Sequence, residues 1–219
     1  MKVVGLIPSR LRSTRLPSKA LLMIDSLPII VHTMKRAQLA KSLDDVYVCT
    51  DSEEIANVVR SHGGKSIMTR SEHTNGTERI AEAAESLDAD LFVNVQGDEP
   101  LVDPSHIDRV IAEHAKHPEW EIVIPSLPIA RPEDPHIVKI VHDVNYRIIF
   151  MSRSVIPQPF YHRPSFFLKH LAFISYKPEA LQRYASLKPT PLQISESVEL
   201  LRALENGMVL GTILLDGDS

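Results

Sequence analysis

Four cations and one acidic turn carry most of the chemistry that this chain can offer. Arg10, Arg12, Arg15 and Lys19 lie close together, and no acidic residue occurs from Met1 to Ile24. Cations without neighbouring carboxylates suit a polyanion, and the hydroxyls of Ser9, Ser13 and Thr14 beside them suit phosphate oxygens. A guanidinium such as Arg10 offers a planar fork to those oxygens, and Lys19 a mobile point charge. The stretch contains neither GxxxxGK[ST] nor GxGxxG, so the two common glycine-rich phosphate cradles are excluded. Farther along, Gln96-Gly97-Asp98-Glu99-Pro100 sets two acids beside a glycine. Magnesium is held by one or two carboxylates, waters and substrate phosphate oxygens, so such a tip suits it. A turn hydrogen bond by Asp98 is the plainer alternative.

These groups need elements to position them. Val3 to Ile7 reads as a strand buried on both faces, ended by Pro8, which has no amide hydrogen for a ladder. Further strands are expected at Val46 to Cys49, Lys65 to Met68, Asp90 to Val95 and Ile122 to Ile124, with helices between them. Asp51 is expected to cap the helix Ser52 to Ser61. Asn75-Gly76 marks a turn, and Thr77 is expected to cap a helix running to about Leu87. Alternating strand, polar loop and helix predict an α/β chain whose ligands bind at the carboxyl ends of the strands. After Pro125 the pattern changes. Strands are expected at Val138 to Val141, Arg147 to Met151, Leu168 to Tyr176 and Val209 to Leu215, and helices at Lys177 to Tyr184 and Glu196 to Glu205.

Composition sets the outer limits. A chain of 219 residues, 43% hydrophobic and 24% charged, can bury one sizeable core. A net charge of −4 argues against a general nucleic-acid binder. No apolar run approaches the roughly 20 residues needed to span a bilayer, and no signal-peptide pattern opens the chain. A cytoplasmic protein without membrane or nucleic-acid partners is therefore expected. Cys49, the one cysteine, is expected to be a small buried side chain. Trp120 and Tyr47 are assigned to packing.

Taken together, the motifs resemble one family. They are IPSR and STRLPSK within Ile7 to Lys19, CTD at Cys49 to Asp51, MTR-x-x-H-x-x-GTER at Met68 to Arg79 and NVQGDEP at Asn94 to Pro100. VK at Val138-Lys139, FMSRSVIP at Phe150 to Pro157, LKHLAFISY at Leu168 to Tyr176 and ESVELLR at Glu196 to Arg202 follow in order. The chain is similar over nearly its full length to the 3-deoxy-manno-octulosonate (Kdo) cytidylyltransferases. That resemblance implies a Rossmann-like nucleotidyltransferase fold, with a mostly parallel mixed sheet, helices on both faces and a small dimerisation lobe. It implies a single domain over 1–219, with 129–175 as the inserted dimerisation and sugar-binding lobe of a homodimer. It also implies transfer of the cytidylyl group of CTP to Kdo for lipopolysaccharide synthesis, with Mg2+ as cofactor.

By the same resemblance, Arg10, Lys19 and Asp98 are the catalytic candidates, with Asp98 as metal ligand. Pro8, Arg10, Lys19, Ser71, Thr74, Gly76 and Gln96 match positions around the nucleotide. Arg15, Arg79, Arg153, His170, Glu196 and Glu199 match positions on the sugar-acid side. Four departures from the family pattern stand out: Ser18 and Ala172 replace glycines, Leu200 replaces a glutamine, and a VDTP-like segment with a second magnesium-binding aspartate lies beyond this sequence. Three readings of the last are open: the sequence is part of a longer chain, Asp216 or Asp218 takes that place, or metal binding is impaired. A related acidic sugar as acceptor (an 8-amino-Kdo or a nonulosonate), or a nucleotide-binding relative with weakened turnover, are the alternatives.

Overall fold

The computed structural model describes residues 1–11 and 18–217, so the expectations for Arg12, Ser13, Thr14, Arg15 and Asp218 lie outside the described residues. In chain order the first half contains β1 (Val3–Ser9), a 3-10 turn (Lys19–Leu21), a hairpin of β2 (Met23–Ile24) and β3 (Leu27–Pro28), and α1 (Ile29–Ala37). It continues with β4 (Asp45–Thr50), α2 (Glu53–Ser61), β5 (Lys65–Met68), α3 (Gly76–Ala84), β6 (Leu91–Val95) and α4 (Pro104–Lys116). The second half holds β7 (Ile122–Ile129), β8 (Lys139–His142), β9 (Ile148–Ser152), β10 (Phe167–His170) and β11 (Phe173–Tyr176). It closes with α5 (Pro178–Ser186), α6 (Pro191–Glu196), α7 (Leu201–Glu205) and β12 (Leu210–Leu214).

Ten strands among the described residues form one mixed sheet in the order β5-β4-β1-β6-β11-β7-β10-β8-β9, with β12 on β7. From β5 to β6 the ladders are parallel, and from β6 through β11 to β9 they are antiparallel, while β12 runs parallel to β7. Alternation along β1 divides the core between the two faces. Val3 and Ile7 join Ile30, Met34, Ile55 and Ile107 on one face; Val4 and Leu6 join Ile80, Tyr176 and Leu181 on the other. Cys49 is fully buried, and burial pushes its thiol up to about 12, as an inert core side chain requires. Trp120 is also buried, and its ring lies so close to Gly211 that a Cβ there would stand 2.1 Å from it.

Several local expectations need correction. Pro8 does not end β1, which continues through Pro8↔Cys49 to Ser9↔Thr50. The ladder to β6 stops at Leu6↔Asn94, so the proline falls where one edge no longer pairs, the position a strand tolerates. Asp51 does not cap α2. Ser52 does, accepting from the Ile55 amide at 3.3 Å, and this leaves Asp51 to pair with Arg79. Asn75 rather than Thr77 caps α3, accepting from the Glu78 amide at 2.8 Å.

The expected helix from Glu196 to Glu205 is two helices, broken at Ser197 (φ 52, ψ 46). A left-handed residue cannot continue an α-helix, so the i,i+3 spacing of Glu196 and Glu199 does not put them on one face. Ile122 to Ile124 extends to Ile129 through two prolines. Leu168 to Tyr176 divides at Leu171-Ala172 into two strands that both pair with β7.

Candidate active site

The carboxyl ends of β1, β5 and β6 point the same way, as in any parallel sheet, and their loops enclose a cavity of about 320 Å³. The approach is close. A Cβ on Gly97 would stand 2.7 Å from the Pro8 carbonyl oxygen, and one on Gly76 would stand 3.0 Å from Pro8 Cγ. Only a residue without a side chain lets the β6 tip lie against the end of β1.

Lys19 reaches the cavity from the far end of the first loop. The Ser18 amide donates to the Leu11 carbonyl at 3.0 Å, and Ser18 takes the left-handed conformation (φ 55, ψ 25) before the 3-10 turn begins. That conformation explains why glycine suits the position and marks Ser18 as strained. From there Lys19 Nζ donates to Asp98 Oδ2 at 2.7 Å, with the two side chains 40% and 51% exposed. Exposed pairs of this kind contribute only a fraction of a kcal/mol, so the partners separate readily for a charged ligand.

The first turn of α3 contributes Gly76 to the same lining, bringing the positive end of a helix, which suits an anion, to the cavity. Its loop is held from behind. The Thr74 amide and hydroxyl donate to Glu78 Oε2 at 3.1 and 2.9 Å, and Arg202 Nη1 donates to Glu78 Oε1 at 3.0 Å. Burial raises the Glu78 carboxyl, but the bonds from Arg202, Thr74 and Asn75 outweigh it and hold the group below the ordinary range. Arg202 is itself buried, stacked over the Tyr184 ring at 5.0 Å.

On the other side of the β6 tip lies a wider groove of about 710 Å³, bordered by Glu99, His136, Lys169, His170 and Asp216. Burial lowers the His170 imidazole to about 4, so the ring is neutral at pH 7. Burial and the neighbouring charge of Asp98 raise Glu99, against the pull of Lys19 and Lys169. Asp216 pairs with Arg109 at 3.1 Å, and its carbonyl meets His106 Nε2 at 2.9 Å.

The structure thus brings together Pro8, Arg10, Lys19, Thr74, Gly76, Gln96 and Asp98 in one cavity, with Arg79 and Glu199 in its wall. Other expected residues are placed elsewhere. Ser71 lies outside the lining and donates to Glu72 at 3.2 Å. Arg79 is 3% exposed and turned inward, donating to the Arg70 carbonyl at 3.3 Å and pairing with Asp51 at 3.3 Å. It fastens α3 to the ends of β4 and β5. Arg153 and Glu196 border neither cavity. The Arg153 guanidinium donates to the carbonyls of Pro135, His136, Glu196 and Ser197, and Glu196 accepts from Ser152 and the Arg153 amide. Glu199 faces the first cavity and His170 the second, so the expected sugar-side set is divided. Sequence reasoning missed Gly97, His73 and Asn75 as lining residues. All three stand within the quoted motifs, which was the available signal.

A cavity with cations, a helix start and an acidic tip at the ends of parallel strands defines a nucleotidyltransferase site. The chain belongs to the cytidylyltransferase family, whose profile matches residues 4–210. In particular, it is similar to the 3-deoxy-manno-octulosonate cytidylyltransferases. The protein of that name from Chlorobium limicola is 44% identical over 213 residues, which cover 94% of this chain and 86% of the relative. That from Leptospira biflexa is 39% identical over 224 residues, covering 98% and 89%. Among solved structures, CMP:2-keto-3-deoxy-manno-octonic acid synthetase complexed with CTP superposes with a TM-score of 0.95 at 33% identity, covering 99% of this chain and 91% of that one.

Proposed function

We propose that the protein transfers the cytidylyl group of CTP to Kdo, giving CMP-Kdo and pyrophosphate for lipopolysaccharide assembly. The single observation that carries this reading is the meeting of Lys19 and Asp98 at 2.7 Å in a cavity that Arg10 and the start of α3 also line. The triphosphate lies there with Arg10 and Lys19 on its oxygens. The sugar acid is suggested by the relatives' name, and the nucleotide by the CTP bound to the similar synthetase.

The anomeric hydroxyl oxygen of the sugar acid bonds to the α-phosphorus as the bond to the pyrophosphate oxygen breaks. The hydroxyl proton passes to solvent. The protein orients both reactants and stabilises the charge on the phosphate oxygens. The wide groove shares the β6 tip with the nucleotide cavity, which favours it as the acceptor's place. His170 and Glu99 face that groove.

The residues present fit magnesium, which needs few protein ligands. Asp98 offers a half-exposed carboxylate beside the triphosphate's place, and no three His, Cys, Asp or Glu side chains converge as a cage among the described residues. That is the donor set for an ion that keeps its waters and shares substrate phosphates. Bound there, magnesium supplies Lewis-acid charge stabilisation and a template for the phosphates.

A homodimer through the antiparallel end is part of the same proposal. Ile149 on the edge strand β9 is 62% exposed, and Phe160 and Tyr161 are 80% and 86% exposed. Exposed apolar surface of this kind marks an association face. Light scattering on the purified protein tests it, and a monomer at micromolar concentration overturns it. A cytoplasmic site of action belongs to the reading too. No helix of the described residues is long and apolar enough to cross a membrane. Pyrophosphate release from CTP and Kdo tests the central claim, with a panel of other sugar acids alongside. No release with any of them refutes it.

A further inference from the structure

Asp98 and Glu199 are the acids in the described lining of the nucleotide cavity, and they are held differently. Asp98 has Lys19. Glu199 has no ion pair among the described residues. Arg202, which acts on it from a distance, hydrogen-bonds to Glu78 and Gln193 instead. What Glu199 does have is one hydroxyl: Thr77 Oγ1 donates to its Oε2 at 3.1 Å.

Behind Thr77 the sheet buries two more polar side chains. Asn94 on β6 and Tyr176 on β11 are both 0% exposed. The register pairs Ile174 with Asn94, so Tyr176, two residues on, projects from the same face as a diagonal neighbour. The Tyr176 hydroxyl and both amide atoms of Asn94 meet no hydrogen-bond partner among the described residues. Thr77 and Asn94 nevertheless flank that hydroxyl, and the Glu199 charge acts on it. Burying such groups costs about 1–3 kcal/mol each unless they are used.

We infer that Asn94, Tyr176 and Thr77 form a chain of donors that turns the Thr77 hydroxyl hydrogen onto Glu199 and keeps that carboxylate aimed into the cavity as a charged acceptor. A hydroxyl has one hydrogen and two lone pairs. When Tyr176 donates into the Thr77 oxygen, the Thr77 hydrogen is committed to Glu199. The Asn94 amide then donates to the Tyr176 oxygen, and each bond polarises the next. Small rotations of buried side chains close the chain.

Among the described residues, the charged and titratable groups that act on Glu199 are few. Arg202 and Arg10 favour its ionised form, Glu78 opposes it, and Tyr184 donates to the Glu199 backbone carbonyl at 3.2 Å. Burial is the largest influence, and it raises the carboxyl above its ordinary range. The donor chain therefore acts with Arg202 and Arg10 in favouring the ionised state against burial. Its use toward hydroxyls of a nucleotide in that cavity rests on the function proposed above, but its existence does not.

Carbon-13 NMR of protein labelled at the glutamate carboxyl, with Glu199→Gln for assignment, reads the chain without any substrate. In Thr77→Val the Glu199 carboxyl is expected to titrate at higher pH. Tyr176→Phe moves it the same way by less, and Thr77→Ser leaves it as in the parent. An unmoved carboxyl in Thr77→Val, an equal shift in Thr77→Ser, or a silent Tyr176→Phe overturns the inference. Tyr176→Phe removes one oxygen and Thr77→Ser one methyl group, so the comparison does not depend on tolerance of the valine. In kinetics, Thr77→Val raises the KM for CTP about tenfold, on the scale of one lost hydrogen bond to a charged group, and leaves that for the sugar acid unchanged. Absence of turnover in the parent protein refutes the substrate reading alone, because the titration still decides the donor chain.

Discussion

Two lysines at opposite ends of the sheet show how differently the halves use charge. At the parallel end, Lys19 leaves its loop, keeps 40% of its side chain in water and pairs with a comparably accessible Asp98. At the antiparallel end, Lys139 is 0% exposed and donates to the carbonyls of Asp134, Ile137 and Arg153. Burial lowers Lys139 from its ordinary range, and the protein supplies its contacts. Arg153 beside it likewise donates to four carbonyls. A cation satisfied by backbone is committed to structure. A cation paired side chain to side chain at the surface is available to a ligand. By this criterion Lys19 is a working cation, and Lys139 and Arg153 hold the wall of the wide groove.

The largest expected effect is at the parallel end. Asp98→Ala and Lys19→Ala should each slow pyrophosphate release from CTP and Kdo by about 10²–10³-fold, by analogy with a lost transition-state donor. Melting temperatures should stay near the parent's, since the pair is exposed. A large melting shift would break the contrast between the two lysines. Next, Arg153→Ala should cost about 2–4 kcal/mol in denaturant unfolding, because it removes four hydrogen bonds from one charged group that tie three chain segments together. A fully stable variant with poor sugar-acid KM would instead restore Arg153 to the ligand side.

A smaller effect comes from the core between the halves. His114 on α4 is 2% exposed and hydrogen-bonded to Ser175 and the Trp120 carbonyl, and burial lowers it to about 4. A depressed folded value means that the unfolded chain binds the proton first as pH falls. This contribution to stability is full above about pH 6.5 and is lost on the way to pH 4. About 2 kcal/mol should be missing by pH 5, and His114→Gln should flatten that slope in unfolding curves recorded across pH. The smallest is Ser18→Gly, which relieves the left-handed φ of 55 and should gain about 0.5 kcal/mol with little change in rate.

The parallel half was legible because each of its strands is a short apolar run followed by a polar loop, and the site is made of those loops. Residue type and strand order pointed to a cation cluster and an acidic tip, and the family resemblance singled out Lys19 and Asp98 within them. Errors gathered where one local rule met a competing one. Pro8 reads as a strand breaker and the strand from Ile122 is expected to end at Ile124, yet Pro8, Pro125 and Pro128 all lie within strands, Pro8 beyond the last rung that pairs β1 with β6. Asp51 and Ser52 are both good caps, and the buried Arg79 decided between them by needing an anion. The helix break at Ser197 has no glycine or proline to announce it. It separated Glu196 from Glu199, and with them the expected sugar-side set.

The contact between Gly97 and the Pro8 carbonyl sets a limit on how the enzyme can work. There is room for a hydrogen atom and nothing larger, so the strand leading to Arg10 and the strand leading to Asp98 meet as one closely packed jaw. A closing motion around a ligand has to hinge outside that jaw, and the spacing of its two grips is a property of the backbone. The pocket then measures the length of what enters it with a caliper that does not flex.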